Sequence, residues 1–169
     1  MRESGVPGGV PEGGTSVLVR VVSRLLLPPT LVIAAGILVK GYAEPGDGFS
    51  AGVVAGLGIL LQYLAFGRGS VERLLPPLVP GVLTFAGMLL ALTVAAVPLF
   101  LGDPVLTHYP PPGTKPIYLG TLELITAVSF DVGIFLLVFG FTAGAIQIVA
   151  HAQDDERDAA TASPPEEAA

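Results

Sequence analysis

Four long apolar segments dominate the sequence, at about residues 17–40, 49–66, 78–100 and 121–149. A helix needs about 20 mostly apolar residues to cross the roughly 30 Å hydrocarbon core of a bilayer. Lipid offers no partner to an unpaired backbone group, so such segments cross the membrane as helices. The sequence therefore predicts an all-α integral membrane protein with four transmembrane helices, short connections and both termini in the cytoplasm.

Charge is scarce in these segments and concentrated at the two ends of the chain. Only 13% of the residues are charged, against about 25% in a typical soluble domain. Of the net charge of −6, residues 154–169 carry −5 and residues 1–12 carry −1. We therefore expect disordered tails at 1–16 and 154–169 around a transmembrane domain of residues 17–153. This distribution argues against a soluble enzyme and against a nucleic-acid partner.

Basic residues predict the orientation, because the cytoplasmic flanks of membrane helices are enriched in Lys and Arg. Six basic residues flank the spans on one side and two on the other. The majority side, expected in the cytoplasm, has Arg2, Arg20, Arg24, Arg68, Arg73 and Arg157, and the other side has Lys40 and Lys115. Both termini belong to the majority side.

The connection between the first two spans is rich in glycine, which permits a tight turn. Its Lys40, Glu44 and Asp47 place charges at the membrane edge. An ordinary solvated turn and the entrance of an ion pathway would both carry such groups, so both interpretations stay open. The residues of this loop motif are Gly41, Pro45, Gly46, Asp47, Gly48 and Phe49.

Small residues recur along the second span. Gly48, Gly52 and Gly56 follow one another at four-residue spacing. Such a stripe lets another membrane helix approach closely. The pattern predicts a helix-packing face, within this chain or against another.

Two acidic residues fall in the predicted fourth span. If that span is centred near Phe135, Asp131 lies about 6 Å from the midplane and Glu123 about 18 Å, at 1.5 Å per residue. An ionised carboxylate at the depth of Asp131 is costly unless it is paired or hydrated. We therefore take Asp131, with Glu123 nearer the interface, as candidate residues for lining or tuning an ion path. A hydrogen bond to a neighbouring span that only fixes packing is the alternative for Asp131.

No catalytic residue, metal site or cofactor is expected. The chain has no cysteine, and its two histidines, His108 and His151, fall on opposite sides of the membrane in the predicted topology. A shared metal ion would need both on one side. The sequence therefore does not predict an enzyme.

Three stretches resemble one known family. They are GYAEPGDGFSAG at 41–52, LTH at 106–108 and TLELITAVSFDVGIFLLVFG at 121–140. In these stretches the chain resembles the MnhB-type subunit of the multisubunit Mrp cation/proton antiporters, over about residues 17–155. It departs from that family at Tyr42, where the family usually has His, and at Asp47, where it usually has Gly. A role for a titrating histidine in this loop is therefore not expected here.

The resemblance implies a non-catalytic subunit of a complex that exchanges protons for Na⁺ or another monovalent cation. The implied partners are the other subunits of a hetero-oligomer, the lipid bilayer, H⁺ and the cation, and the implied location is the plasma membrane, which the chain crosses several times. Two alternatives remain open. One is a structural or assembly subunit of a related hydrogenase-like membrane complex, and the other is a homo-oligomeric channel.

Overall fold

The computed structural model describes residues 17–41, 46–73, 76, 78–107, 109, 117–119, 122–124 and 126–162. Within these residues, four helices are long and apolar enough to cross a membrane, which agrees with the predicted number of spans. Predictions for residues 1–16, 163–169, Glu44, Pro45 and His108 lie outside the described residues. The elements are α1 Val17–Lys40, α2 Asp47–Phe66, α3 Arg68–Val71, α4 Leu78–Phe100, β1 Ile117–Leu119, β2 Leu122–Leu124 and α5 Thr126–Ala162.

The four long helices pack side by side in the order α1, α2, α5, α4. On one face of α5, Gly48 of α2 lies against Asp131 and Gly56 against Thr142, so α2 and α5 run parallel. On another face, Gly87 of α4 lies against Gly133, and α4 runs antiparallel to α5. Helices α2 and α5 are therefore the inner pair, and α1 and α4 are the outer helices.

The fourth span begins later than predicted. We expected it to start near residue 121, but α5 begins at Thr126. The residues before it form a short antiparallel pair of strands, in which Tyr118 pairs with Glu123. The reason lies in the sequence IYLGTLEL, where apolar residues alternate on both sides of a Gly-Thr pair, a pattern typical of a hairpin.

The end of the fourth span also differs from the prediction. Helix α5 continues to Ala162, so residues 154–162 are helical and their predicted disorder is wrong. Two contacts hold the first part of this extension: Arg68 Nη1 lies 3.8 Å from Asp154 Oδ2, and His151 Nε2 lies 3.6 Å from Glu72 Oε1. Three of the nine residues 154–162 are Ala, which favours helix, and the stretch contains no Gly or Pro.

Candidate functional site

Asp131 lies near the beginning of α5, where it contacts the beginning of α2. Its side chain is buried, with the residue only 3% exposed. The Gly46 N–H donates to both carboxylate oxygens, at 3.1 Å to Oδ1 and 3.0 Å to Oδ2. Gly46 immediately precedes α2 and has φ +118, a conformation that favours glycine. Asp131 therefore caps α2 from another helix, where the positive end of the helix dipole stabilises a carboxylate.

Glycines make this close approach possible. A Cβ atom at Gly41 would lie 2.7 Å from Asp131 Oδ2, and one at Gly48 would collide with the Asp131 carbonyl oxygen. A side chain at either position would push α5 away from the α1–α2 turn. Of the loop motif, the structure thus brings Gly41, Gly46 and Gly48 to Asp131.

The charged residues of the turn lie beside this contact. Lys40 Nζ is 3.5 Å from Asp47 Oδ2, and the Lys40 side chain is largely exposed. Phe49 is 58% exposed and is not part of the buried contact. The turn therefore joins an exposed ion pair to a buried carboxylate held by a backbone N–H.

The depth of Asp131 differs from the sequence-based prediction. Helix α2 has 20 residues, which span about 30 Å, the thickness of the hydrocarbon core. Asp131 contacts the first residues of α2, so it lies about 15 Å from the middle of that helix. If α2 spans the hydrocarbon core, Asp131 lies near the edge of that core and not about 6 Å from its midplane. The prediction placed it too deep because it started the fourth span too early.

Glu123 is not on the same helix as Asp131. It lies in β2, opposite Tyr118 of β1, before α5 begins. The start of α5 is fixed to the preceding loop, because the Tyr109 N–H donates to Thr126 Oγ1 at 2.9 Å and the Thr126 N–H donates to the Tyr109 carbonyl at 3.0 Å. The structure therefore places Glu123 at the same end of the molecule as Asp131, but on a separate element.

The Tyr109 side chain adds a polar contact at this end. Its hydroxyl donates to the Asp103 carboxylate. This hydrogen bond, with smaller contributions from desolvation and from the Asp103 charge, raises the pKa of Tyr109 above its usual value of 10.0. Loss of the phenolic proton would bring two negative charges together.

The glycine stripe of α2 lies against α5 along its whole length. Beyond Gly48, a Cβ atom at Gly52 would lie 2.9 Å from Val138 Cβ, and one at Gly56 would lie 2.6 Å from Thr142 Cγ2. The partner of the stripe is therefore a helix of the same chain. Real Cβ atoms do not approach so closely, so a larger residue would separate the two helices.

A second set of glycine contacts, between α4 and α5, was not predicted. A Cβ atom at Gly140 would lie 2.6 Å from the Thr84 nitrogen and 2.7 Å from the Pro80 carbonyl oxygen. One at Gly133 would lie 2.8 Å from the Ala91 nitrogen. The signal in the sequence was the seven-residue spacing of Gly133 and Gly140, which places both on one face of a helix.

Buried polar residues near the other end of α2 were also missed. Gln62 Nε2 donates to the Ser23 carbonyl of α1 at 2.8 Å, and both residues are buried. Gln147 of α5 is buried as well, and it lies beside Tyr63. Two glutamines inside otherwise apolar spans are the feature of the sequence that could have indicated this cluster.

Comparison with known proteins places this arrangement in a family. A family model described as a domain related to the MnhB subunit of Na⁺/H⁺ antiporter matches residues 18–144, which include α1, α2, α4 and Asp131. The chain belongs to the MnhB family. The match confirms the resemblance seen in the three sequence stretches, and with the four long apolar helices it makes the chain a multi-pass membrane protein.

Individual relatives agree with this assignment. The chain is 34% identical to the B subunit of the Na(+)/H(+) antiporter of Alkalihalophilus pseudofirmus over 139 residues, which are 82% of this chain and 94% of that protein. It is 33% identical to the B subunit of the Na(+)/H(+) antiporter of Bacillus subtilis over 135 residues, 78% of this chain and 91% of that one. It is also 34% identical to the A/B subunit of a probable K(+)/H(+) antiporter of Rhizobium meliloti. The matched region covers only 13% of that subunit.

A solved structure supports the fold of this MnhB-family chain. A chain of the Mrp complex from Dietzia sp. DQ12-45-1b matches it with a TM-score of 0.65 and 27% sequence identity. The match covers 88% of this chain and 16% of that one. The four-helix unit described here is therefore similar to part of a much longer polypeptide of that complex.

Proposed function

We propose that this chain is the MnhB-type subunit of a multisubunit antiporter that exchanges protons for Na⁺ or another monovalent cation. The observation that carries the proposal is the match to two proteins named as the B subunit of a Na(+)/H(+) antiporter, over more than nine-tenths of their length. The similarity to part of the Mrp complex supports it independently. In this role the chain is a non-catalytic subunit of the plasma membrane, and the basic flanks of its spans support a cytoplasmic location of both termini.

The outer helices supply surface for partner subunits. Helix α1 exposes most of its apolar residues, and Leu25, Val32 and Val39 are each more than half exposed. In α4, Phe85, Leu89 and Leu92 are likewise each more than half exposed. Within a membrane such faces contact lipid or the helices of another subunit. The row of four helices, with both end helices uncovered, suits a subunit packed between others.

For Asp131 we propose a tuning role, in which a fixed negative charge at the membrane edge attracts cations to the α1–α2 turn. The carboxylate accepts from the Gly46 N–H at the beginning of α2, the end of a helix at which negative charge is favoured. Glu123 adds a second acidic residue at the same end. The alternative is that Asp131 only caps α2 and fixes its packing against α5.

The subunit proposal is tested by co-purification and transport. A strain that lacks this chain should lose cation-dependent proton flux in inverted membrane vesicles, and the tagged chain should restore it. The tagged chain, extracted in mild detergent, should carry the large antiporter subunits with it. Co-purification with hydrogenase-like subunits would favour the assembly alternative, and recovery as a homo-oligomer that transports by itself would favour a channel. Either result would contradict the proposal.

A further inference from the structure

A cavity of about 670 Å³ lies at the end of α2 opposite Asp131. It is bounded by the last turns of α2, the beginning of α3, Arg20 of α1 and the far half of α5. Its inner wall is apolar and includes Leu60, Leu64, Ile146 and Val149. The family match ends at residue 144, so the α5 wall of this cavity lies outside the matched region.

The rim of the cavity carries three arginines from three helices. They are Arg20 of α1, Arg68 of α3 and Arg157 of α5, with Asp154 as the acidic residue of the lining. Arg68 is held in place, since its Nε lies 2.9 Å from Glu72 Oε1. Arg20 and Arg157 are exposed. Because Arg68 is paired with both Glu72 and Asp154, the arginines of the lining that could take a further anion are Arg20 and Arg157.

The height of these arginines in the membrane matters as much as their charge. Arg20 is the fourth residue of α1, and Arg68 is the second residue after α2 ends at Phe66. Both helices span the hydrocarbon core, so these two side chains lie at the level of the lipid headgroups. The apolar wall runs from that level into the hydrocarbon core. One cavity thus offers a cationic rim at headgroup height and an apolar wall below it.

We propose that this cavity binds an anionic phospholipid, with its phosphate between the arginines of the rim and an acyl chain along the apolar wall. Arginine presents a planar fork of N–H donors that matches phosphate oxygens. Basic pockets between transmembrane helices are known to take anionic headgroups. The inference requires only that these helices span a bilayer. It is therefore independent of the antiporter role, and each can be tested without the other.

The test measures lipid retained by the full chain, purified through a tag in mild detergent with any subunits that accompany it. Native mass spectrometry after addition of phosphatidylglycerol or phosphatidylcholine should show preferential binding of phosphatidylglycerol. The double variant Arg20→Gln/Arg157→Gln should lower the affinity for phosphatidylglycerol about fivefold per arginine and leave phosphatidylcholine binding unchanged. The matched control is Arg73→Gln, an exposed arginine at the same end of the molecule that does not line the cavity.

Two further measurements distinguish a bound lipid from free phosphate and from a protein partner. Phosphatidylglycerol should raise the Tm of the unmodified protein more than that of the double variant, because a ligand of the folded state stabilises it, and Arg157→Lys should keep most of this effect. A millimolar excess of inorganic phosphate should not displace the lipid. Equal binding of both lipids, or displacement by phosphate alone, would overturn the proposal. A third result would also overturn the proposal: the double variant loses an accompanying subunit while its lipid binding is unchanged. In that case a protein would occupy the cavity.

Discussion

Replacing Asp131 by Asn removes one charge from the buried contact and leaves an oxygen that can still accept from Gly46. A hydrogen bond to a charged group contributes about 1.5–3 kcal/mol and one between neutral groups about 1 kcal/mol. The helix dipole adds up to about 2 kcal/mol in partly buried geometries. We therefore expect Asp131→Asn to cost about 1–3 kcal/mol of stability, and Asp131→Ala more, because Ala leaves the Gly46 N–H without its acceptor.

The same substitution changes the potential at the turn. For a cation about 10 Å from the carboxylate and an effective dielectric constant of about 20, the lost attraction is about 1.7 kcal/mol. That corresponds to between ten- and twentyfold in local cation concentration before screening by salt, which lowers it. We expect transport per assembled complex to fall several-fold in Asp131→Asn and to recover in part in Asp131→Glu, which keeps the charge.

The assay is cation-dependent proton flux in inverted vesicles, divided by the amount of intact complex on a native blot. Asp103→Asn is the matched control, since Asp103 is an exposed acid at the same end of the molecule and Asn can still accept from the Tyr109 hydroxyl. It should leave flux per complex near the unmodified level. Full flux per complex in Asp131→Asn would refute the tuning role and leave Asp131 as a cap of α2.

Three further outcomes are expected. Gly56→Leu should reduce recovery of the folded chain, since overpacking costs about 1–3 kcal/mol. Gly69→Leu should not, because Gly69 has open space around it and lies in α3, outside the outer helices α1 and α4; equal recovery of both would contradict the α2–α5 contact. A cysteine at Ser4 should react with a membrane-impermeant reagent only from the cytoplasmic side and one at Gly113 only from outside, and labelling of both from one side would refute the orientation. In an absorbance titration, Tyr109→Phe should lose one phenol that ionises at higher pH than a free tyrosine. The raised pKa of Tyr109 implies that its contribution to stability is present below a pH of about 10 and is lost as the pH rises through the folded-state pKa.

The number of spans could be predicted from sequence because each depends on a local property, a run of about 20 apolar residues. The ends of the fourth span could not. Its start depends on a pair of three-residue strands, too short to stand out from the apolar run that follows. Its extension to Ala162 depends on contacts with α3, through Arg68 and Glu72, which only the folded chain brings together.

The candidate site, too, could be predicted from the sequence only in part. The sequence singled out Asp131 because an acid next to a long apolar run is rare, and it singled out the glycines of the turn by their composition. It could not show that the partner of Asp131 is the backbone N–H of Gly46, which lies 85 residues away in the chain. Every residue but proline carries such a donor, so no residue type marks it.

Helix α5 is a single element of 37 residues, about 55 Å long. It begins near Asp131 and continues past Asp154, which lies beside Arg68 just after the end of α2, and glycine contacts on two faces hold its middle between α2 and α4. If a straight helix of this length tilts by about 5°, one end moves by about 5 Å relative to the other. If the helix moves as one body, a displacement of its Asp131 end is accompanied by a displacement of residues 154–162.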